Sequence, residues 1–364
     1  MTVEILSPKL VGVKQSVTDA FLLLNPAQTP LLNLLGFSEA VTATNHEWFE
    51  DSMFGTESTV NGAVTNVATA VVVADVEPFR VGHIVKVGSE MLKVTAVNVG
   101  TKTLTVDRGY AGTTAAAIAN GAEIEVQFVE GSEGADARSA RYKARVPKNN
   151  YTQIFDESIS ISGTAAAVSQ YGVANEYEKE KAKKIIELGL QLEKAIVNGV
   201  KYRNGSVAQM GGMRSFIQTN VANASAGALN ADMLSDQLQK IWAAGGFKTG
   251  GNYKIMVPAK QKRVISAFGK ADIRLDRQDN GRGQVVDYFL SDFGSAEILL
   301  NDNLSSDEVI IFDTNRTAIR PLQTREFGHT YLGTKGDYTE GMLVGEYTLE
   351  FQQEKAHARI FNLA

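Results

Sequence analysis

The segment from Asn150 to Gly199 constrains the fold most, because it joins a polar strand to one long and highly charged helix. Apolar residues recur in the helix at steps of three or four, which places a narrow apolar stripe along one side: Ile185, Leu188, Leu192, Ile196 and Val200. We therefore predict a solvated helix from about Thr164 to Val200. We expect this helix to be a rigid structural support that packs on a single domain through its apolar stripe.

The exposed side of this helix is balanced in charge. Residues 176–187 contain four glutamates and four lysines. Pairs such as Glu180 with Lys184 have the stabilising i,i+4 spacing, and each contributes only about 0.3 kcal/mol. The simplest interpretation is a solvated helix face, since the segment contains no catalytic or cofactor motif.

Bulk properties limit the classes of protein that this chain can belong to. With 364 residues, two or three modules are expected. The formal net charge of -5 gives no overall basic surface, so any contact with nucleic acid should be local. The absence of cysteine excludes disulfides and Cys-ligated zinc, in keeping with synthesis in a reducing cytoplasm. The N-terminus lacks the features of a signal peptide. No apolar run is as long as a membrane span, which takes about 18 residues.

The N-terminal third divides into an arm and a β module. Apolar clusters at Phe21–Leu24 and Leu31–Leu35 are separated by Pro26 and Pro30, so they cannot form one helix and need a surface to bury against. From about residue 56 to 130 the sequence is rich in Val, Thr, Ala and Gly, with short strand signals between turns. We predict a small all-β module of about five strands there.

The segments on either side of this module carry opposite charge. The incoming segment is acidic and the outgoing one basic: Glu47, Glu50, Asp51 and Glu57 against Arg138, Arg141, Lys143, Arg145 and Lys148. One hypothesis is that the two segments pair as a long hairpin stalk, with cross-strand ion pairs of about 0.2 to 1 kcal/mol each. The alternative is that the charges prevent exposed strand edges from pairing with other chains.

The rest of the chain predicts an α+β arrangement. Asn230 should cap a helix that Gly245 ends, Tyr253–Val257 should form a strand, and Pro258 should open a helix closed by Gly269. A polar loop is expected at Lys270–Asp287. Further strands are predicted at Ile298–Leu300, at Val309–Phe312, through the alternation of Leu343, Tyr347, Leu349 and Phe351, and at Ala356–Phe361.

The sequence contains little that indicates catalysis. The sequence has no phosphate-binding, zinc-protease or nucleophile-elbow motif. Its four histidines lie far apart in sequence, and none has a second metal ligand at a typical spacing: His46, His83, His329 and His357. The segment DRGYAGT at 107–113 is interpreted as a turn. Glu123 and Glu125 could act as general acid and base, but they equally form a solvated strand face. We predict no catalytic, cofactor-binding or metal-binding residue.

Several segments, taken in order, resemble the major capsid proteins of tailed bacteriophages, in a subfamily with an extended loop before the long helix. They are NYTQIF at 150–155, ISGTAAAVSQYG at 161–172, the charged helix ending in Leu192–Gly199, and GMLVGEYTLEFQQEKAHARIFNLA at 341–364. In addition, VGHIVKVGSEMLKVTAVN and TLTVDRGYAGTTAAA resemble a β module of phage structural proteins.

The resemblance implies the α+β tailed-phage major capsid fold, which encapsulins share. Its parts would be an N-terminal arm at 1–45, an extended loop at 46–150 with an inserted β domain at about 56–130, a spine helix and peripheral domain at 151–205, an axial domain at 206–320, and C-terminal strands of the peripheral domain at 321–364.

The function that the resemblance implies is self-assembly into pentamers and hexamers of an icosahedral phage head, which encloses double-stranded DNA without sequence preference. The protein would be made in the host cytoplasm, reside in the virion, and contact neither a membrane nor a cofactor. Portal and decoration proteins are further expected partners. A separate scaffolding protein is expected too, because no long helical leader precedes the arm.

Two other functions stay open. One is a cargo compartment of the encapsulin type, which would not be expected to carry the β insert. The other is a different phage structural protein, such as a decoration protein or a β-rich adhesin, and the few aromatic residues of the module disfavour a carbohydrate-binding adhesin.

Overall fold

The computed structural model describes residues 29–131, 133–134, 136–168, 175–247, 251–268, 288–334 and 336–364. Two compact units divide the chain: unit 1 is Met1–Trp48 with Pro147–Ala364, and unit 2 is Phe49–Val146. The predicted cluster Phe21–Leu24, the closing Gly269 and the polar loop Lys270–Asp287 lie outside the described residues.

The elements follow the order arm, β-rich segment, long helix and mixed α+β segment. The helices are α1 (Pro30–Leu35), α2 (Gly163–Ala167), α3 (Glu176–Asn198), α4 (Met213–Phe216), α5 (Ala231–Ala243) and α6 (Ala259–Ser266). The strands are β1 (Asn45–Glu50), β2 (Glu57–Thr59), β3 (Ala70–Val72), β4 (His83–Val87), β5 (Glu90–Asn98), β6 (Thr103–Asp107), β7 (Glu123–Val129), β8 (Val146–Tyr151), β9 (Gln153–Ser162), β10 (Tyr202–Asn204), β11 (Val207–Gln209), β12 (Val221–Asn223), β13 (Tyr253–Val257), β14 (Tyr288–Ser291), β15 (Gly294–Leu300), β16 (Val309–Asp313), β17 (Thr317–Pro321), β18 (Gly328–Thr334), β19 (Tyr338–Phe351) and β20 (Ala358–Phe361).

A six-stranded sheet in unit 1 has the order β12-β20-β16-β13-β15-β14. Its central strands β13 and β16 are buried along their whole length. Successive side chains point to opposite faces of a strand, so Ile255 joins the core formed with α5 and α6, whereas Met256 joins the core formed with α3. This sheet therefore separates two hydrophobic cores, which explains why both strands are mostly apolar; Lys254 in β13 is an exception, and it pairs with Glu297.

The longest strand, β19, organises a second sheet. It pairs with β9 on one side and with β17 and β18 on the other. The predicted strand is confirmed, but its second half is buried on both faces, including Glu346, Thr348 and Glu350, so the alternation does not separate a buried face from an exposed one. The apolar side chains Leu343, Tyr347, Leu349 and Phe351 are all buried. They pack with Leu188, Leu192 and Ile196 of α3 in one core. The long helix is thus held on this sheet by its apolar stripe.

The predicted single helix from about Thr164 to Val200 is wrong in its N-terminal part. Ser162 caps the short α2, which ends where Val168 takes an extended conformation with φ -76° and ψ 123°. The long helix begins after Asn175, whose side chain accepts the backbone N–H of Tyr177 at 3.0 Å. The sequence prediction missed this second cap, although Gly172 precedes it and an asparagine before glutamates is a preferred N-cap.

The apolar stripe is shorter than predicted, and its charge pairs differ. Ile185 is 48% exposed, and Val200 is 68% exposed beyond the helix end. The expected pair of Glu180 with Lys184 is wrong: Glu180 pairs with Lys183, and Lys184 pairs with Glu187 at 2.8 Å. The i,i+3 neighbours are as close on a helix surface as the i,i+4 neighbours, so the solvated face keeps its charge balance.

Unit 2 is built on a six-stranded sheet with the order β2-β7-β4-β5-β6-β3. Its core consists largely of valines, including Val71, Val85, Val94 and Val106. The β-branched side chains fit a pleated, half-buried surface. Six strands replace the about five that the sequence predicted, and the boundaries of an inserted domain at about 56–130 remain a prediction.

The segment 107–113 is a turn held by a buried ion pair. Arg108 Nε donates to Glu90 Oε1 at 2.8 Å, and the other Glu90 oxygen accepts the backbone N–H of Ala116 at 3.0 Å. Gly109 has φ +63°, and a Cβ there would lie 2.7 Å from the carbonyl oxygen of Thr113. Both the positive φ and the close approach require glycine at this position.

The stalk hypothesis is correct only in part. Strand β1 pairs with β8, but the described residues of 51–56 and 131–145 contain no strand, so the pairing is short. One expected ion pair forms, between Arg145 and Asp51 at 3.3 Å. Lys143 instead pairs with Glu77, and Arg141 donates to the carbonyl oxygen of Pro78.

Candidate assembly site

The candidate site in unit 1 begins at the N-terminus of α1. Pro30 occupies the start of this helix, and the preceding Thr29 makes no side-chain capping bond. The first N–H groups of a helix have no partner within it. Glu193 supplies the acceptor from α3: its carboxylate accepts the N–H of Leu31 at 3.4 Å and of Leu32 at 3.3 Å. The long helix thereby caps the short one.

The same carboxylate binds a third segment, the turn after β15. Asn301 Nδ2 donates to Glu193 Oε1 at 2.7 Å, and Asn303 Nδ2 donates to the same oxygen at 3.3 Å. Glu193 is fully buried. Burial raises the pKa of Glu193, and the hydrogen bonds from the two backbone and two side-chain amides oppose that shift. We call this group, Leu31, Leu32, Glu193, Asn301 and Asn303, the arm clamp.

The sequence prediction missed Glu193 because a glutamate beside Leu192 on a charged helix is normally solvated. A weak signal was available. The buried positions of α3 are Leu188, Leu192, Glu193, Ile196 and Val197, so Glu193 lies within a helical stripe of ordinary width.

A second anchor fixes the first part of β1 to unit 1. His46 Nε2 lies 2.8 Å from Glu350 Oε2, and Arg320 also pairs with that carboxylate. Burial acts to raise the pKa of Glu350, but hydrogen bonds from His46 and Gln352 and the charge of Arg320 outweigh it and lower the pKa to about 2. The base of the predicted extended loop is therefore held by charged hydrogen bonds.

Aromatic packing supports this anchor. Trp48 is buried, with its ring centroid 6.0 Å from that of Phe216. Phe216 in turn stacks on Phe351 at 5.8 Å. Aromatic pairs at such distances add about 0.5–1.5 kcal/mol to the effect of burial, so β1 is anchored by packing as well as by charge.

Unit 1 also leaves apolar side chains open to solvent on strand β18. Tyr331 is 59% and Leu332 is 56% exposed, and β18 is the last strand in its sheet order. Edge strands that carry apolar residues are templates for contact with another chain. This edge is a candidate contact surface.

The histidines and the paired glutamates that the sequence offered as candidates do not form a common site among the described residues. Among the described residues, no group of three His, Asp or Glu side chains could hold a metal ion. The buried His357 accepts the N–H of Asp313 at Nδ1, and burial lowers its pKa to about 4. Glu123 and Glu125 are exposed on β7. In the described part of the chain, no helix has the length and hydrophobicity needed to cross a membrane.

Comparisons with known proteins agree with this architecture. The family model described as SU10 major capsid protein matches residues 5–364. No curated protein sequence matches the chain.

Solved structures give the same fold at low sequence identity. The "Capsid of native GTA particle" has 12% identity and a TM-score of 0.53, covering 98% of this chain and 98% of that chain. The structure of Gordonia phage Cozz has 11% identity and a TM-score of 0.52, covering 99% and 98%.

Proposed function

Because the chain belongs to the SU10 major capsid protein family and is thus a shell protein of a phage head, we propose that it assembles into pentamers and hexamers of an icosahedral shell around double-stranded DNA. The family match over residues 5–364 carries this proposal. It includes the arm, the long helix and both units, so the whole chain takes part in building the shell.

The contacts within unit 1 support a load-bearing role. The arm clamp ties three segments far apart in sequence through one buried carboxylate. The anchor at His46 and Trp48 fixes the base of the loop to the sheet of β17 and β19. A shell subunit has to keep its shape while different surfaces contact successive neighbours, because contacts in a ring of identical copies are heterologous.

Exposed surfaces support association between copies. The edge strand β18 offers Tyr331 and Leu332, and α3 offers Ile185 beside its charged residues. Contacts of modest area suffice in a shell, since several neighbours hold each subunit at once.

The packaged DNA should be contacted without sequence preference. A net charge of -5 leaves no general basic surface, and the sequence has no base-reading motif. We also propose that the protein is not an enzyme, that it is made in the host cytoplasm, and that scaffolding, portal and decoration proteins join it in the virion.

An assembly assay with nuclease treatment tests this function. The full chain is expressed with and without a co-expressed scaffolding protein, and particles are separated by sedimentation and imaged by electron microscopy. We expect closed particles, and particles from infected cells should protect DNA from nuclease. Persistent monomers under both conditions would contradict the proposal, and particles that enclose a protein cargo would favour the compartment alternative.

A further inference from the structure

A cleft in unit 2 is bordered by two arginines. Arg80 and Arg138 line it together with Val97, Val99, Glu130 and Asp136. Glu130 is already paired with Lys93 at 2.8 Å. Within the described part of the chain, neither Arg80 nor Arg138 forms an ion pair. Since Asp136 offsets one of the two arginines, the cleft keeps a net positive charge.

Two buried nitrogen atoms beside this cleft lack hydrogen-bond partners among the described residues. They are Arg80 Nε and His83 Nδ1, and His83 is only 5% exposed. Burial, together with the charges of Arg141, Arg80 and Arg138, lowers the pKa of His83 to about 4. A buried donor without an acceptor is unfavourable. Arg80 as a whole is partly exposed, so an acceptor from another molecule would approach its guanidinium from the cleft and not at the buried Nε.

A second charged surface of unit 2 has the opposite sign. Glu57 on β2 lies directly opposite Glu125 on β7, and Glu123 shares their face. Like charges opposite each other destabilise a sheet. Lys86 lies opposite Glu125 on β4 and offsets one of the three charges. We call Glu57, Glu123 and Glu125 the acidic stripe; it is exposed and has a net negative charge.

The cleft and the acidic stripe lie at opposite ends of β7. Glu123 begins this strand, whereas Glu130 on the cleft directly follows it. A strand rises about 3.3 Å per residue, so roughly 20 Å separate the two residues. One copy cannot place its own stripe in its own cleft. From this charge complementarity, we infer that the cationic cleft of one copy binds the acidic stripe of a second copy.

This contact is head to tail, since the two copies contribute different surfaces. Such heterologous contacts close into rings when the rotation between copies permits it. The inference rests on the proposed shell function, because it names a contact through which copies associate. It assigns unit 2 to subunit contact, and charge pairs of this kind fix orientation and partner choice more than total affinity.

Charge reversal and charge swap test the contact in the full chain. The variant R80E/R138E should give about tenfold fewer particles than the wild type, since like charges across an interface oppose association. The variant E123K/E125K should show a similar loss. With all four substitutions in one chain, cleft and stripe are complementary again, and the particle yield should recover. The matched control K240E/K260E makes the same charge change at exposed lysines of α5 and α6 in unit 1 and should assemble normally.

The outcomes separate this contact from the shell function itself. Circular dichroism and thermal unfolding first establish that each variant is folded. If the wild type assembles and folded R80E/R138E assembles equally well, the contact is wrong while the shell function stands. If the particle yield of the quadruple variant does not recover, the proposed contact is contradicted as well. Binding of inorganic phosphate that is lost in R80E/R138E with unchanged assembly would assign the cleft to a free anion instead. A wild type that never assembles contradicts the shell function.

Discussion

The two units each bury a glutamate, and they stabilise it in different ways. In unit 2, Glu90 pairs with Arg108, and its other partners Gly109 and Ala116 also lie within 26 residues of it in sequence. In unit 1, Glu193 has amide donors from α1 and from the turn after β15. The comparison shows that a local buried charge stabilises a small unit, whereas a long-range one fixes the relative positions of distant segments.

The largest effect is expected from removing the cation in unit 2. Arg108→Met leaves Glu90 buried and without a charge partner. This substitution should lower the free energy of unfolding of unit 2 by about 3–5 kcal/mol. Denaturant unfolding of the full chain, followed by hydrogen exchange of β5 and β6, measures it. As a control, R108M/E90L removes both charges and should recover much of the loss; an equally unstable double variant would contradict the ion-pair explanation.

Removing the acceptor of the arm clamp should have a smaller effect. Glu193→Leu leaves the N–H groups of Leu31 and Leu32 and two asparagine amides without an acceptor, which should cost about 2–3 kcal/mol. Amide exchange at Leu31 and Leu32 should accelerate more than exchange in β13. The matched control is Glu187→Leu, an exposed glutamate on the same helix. Equal effects of the two substitutions would show that the clamp does not hold α1.

Acid should change the two glutamates in opposite directions. The hydrogen bond from Arg108 lowers the pKa of Glu90, so its stabilisation is present above the unfolded value of about 4.3 and is lost as pH falls towards the folded pKa. Burial raises the pKa of Glu193, so the folded state protonates first and gains stability as pH falls through the folded pKa towards about 4.3.

Unfolding free energies of E90Q and E193Q, measured against the wild type from about pH 7 to about pH 3, separate these cases. The advantage of the wild type over E90Q should shrink on acidification, and its advantage over E193Q should grow. The same sign for both variants would remove the distinction between the two glutamates.

The smallest effect is expected at the exposed ion pair of unit 2. Arg145 and Asp51 have 68% and 61% of their side chains exposed. Arg145→Ala should therefore change the free energy of unfolding by less than about 1 kcal/mol. Urea unfolding against Arg108→Met gives the contrast, and a comparable loss at both arginines would mean that burial does not decide the strength of these pairs.

The sequence predicted those parts of the fold that depend on local patterns. Asn230 caps α5, β16 is a short apolar run, and β13 has the predicted bounds Tyr253–Val257. The alternation in β19 predicted the face that packs on α3, but not the burial of Glu346, Thr348 and Glu350 on the other face. These features follow from periodicity and from capping preferences, which act within a few residues of the chain.

The sites that join distant segments could not be predicted in the same way. Glu193 looks like any solvated glutamate on α3, and its partners Leu31 and Asn301 are more than a hundred residues away. The ion pair of Lys143 with Glu77, in place of an acid of the incoming segment, depends likewise on the tertiary structure of unit 2. The resemblance to capsid proteins indicated the fold class, while the stabilising contacts became visible only in three dimensions.

The most direct test of the central claim is electron cryomicroscopy of particles purified after expression of the full chain, with and without a co-expressed scaffolding protein. A shell subunit predicts closed particles with five- and sixfold clusters of this chain, in which unit 1 keeps the contacts of Glu193 with Leu31 and Asn301. Monomers, or open aggregates without rotational symmetry, would contradict the account.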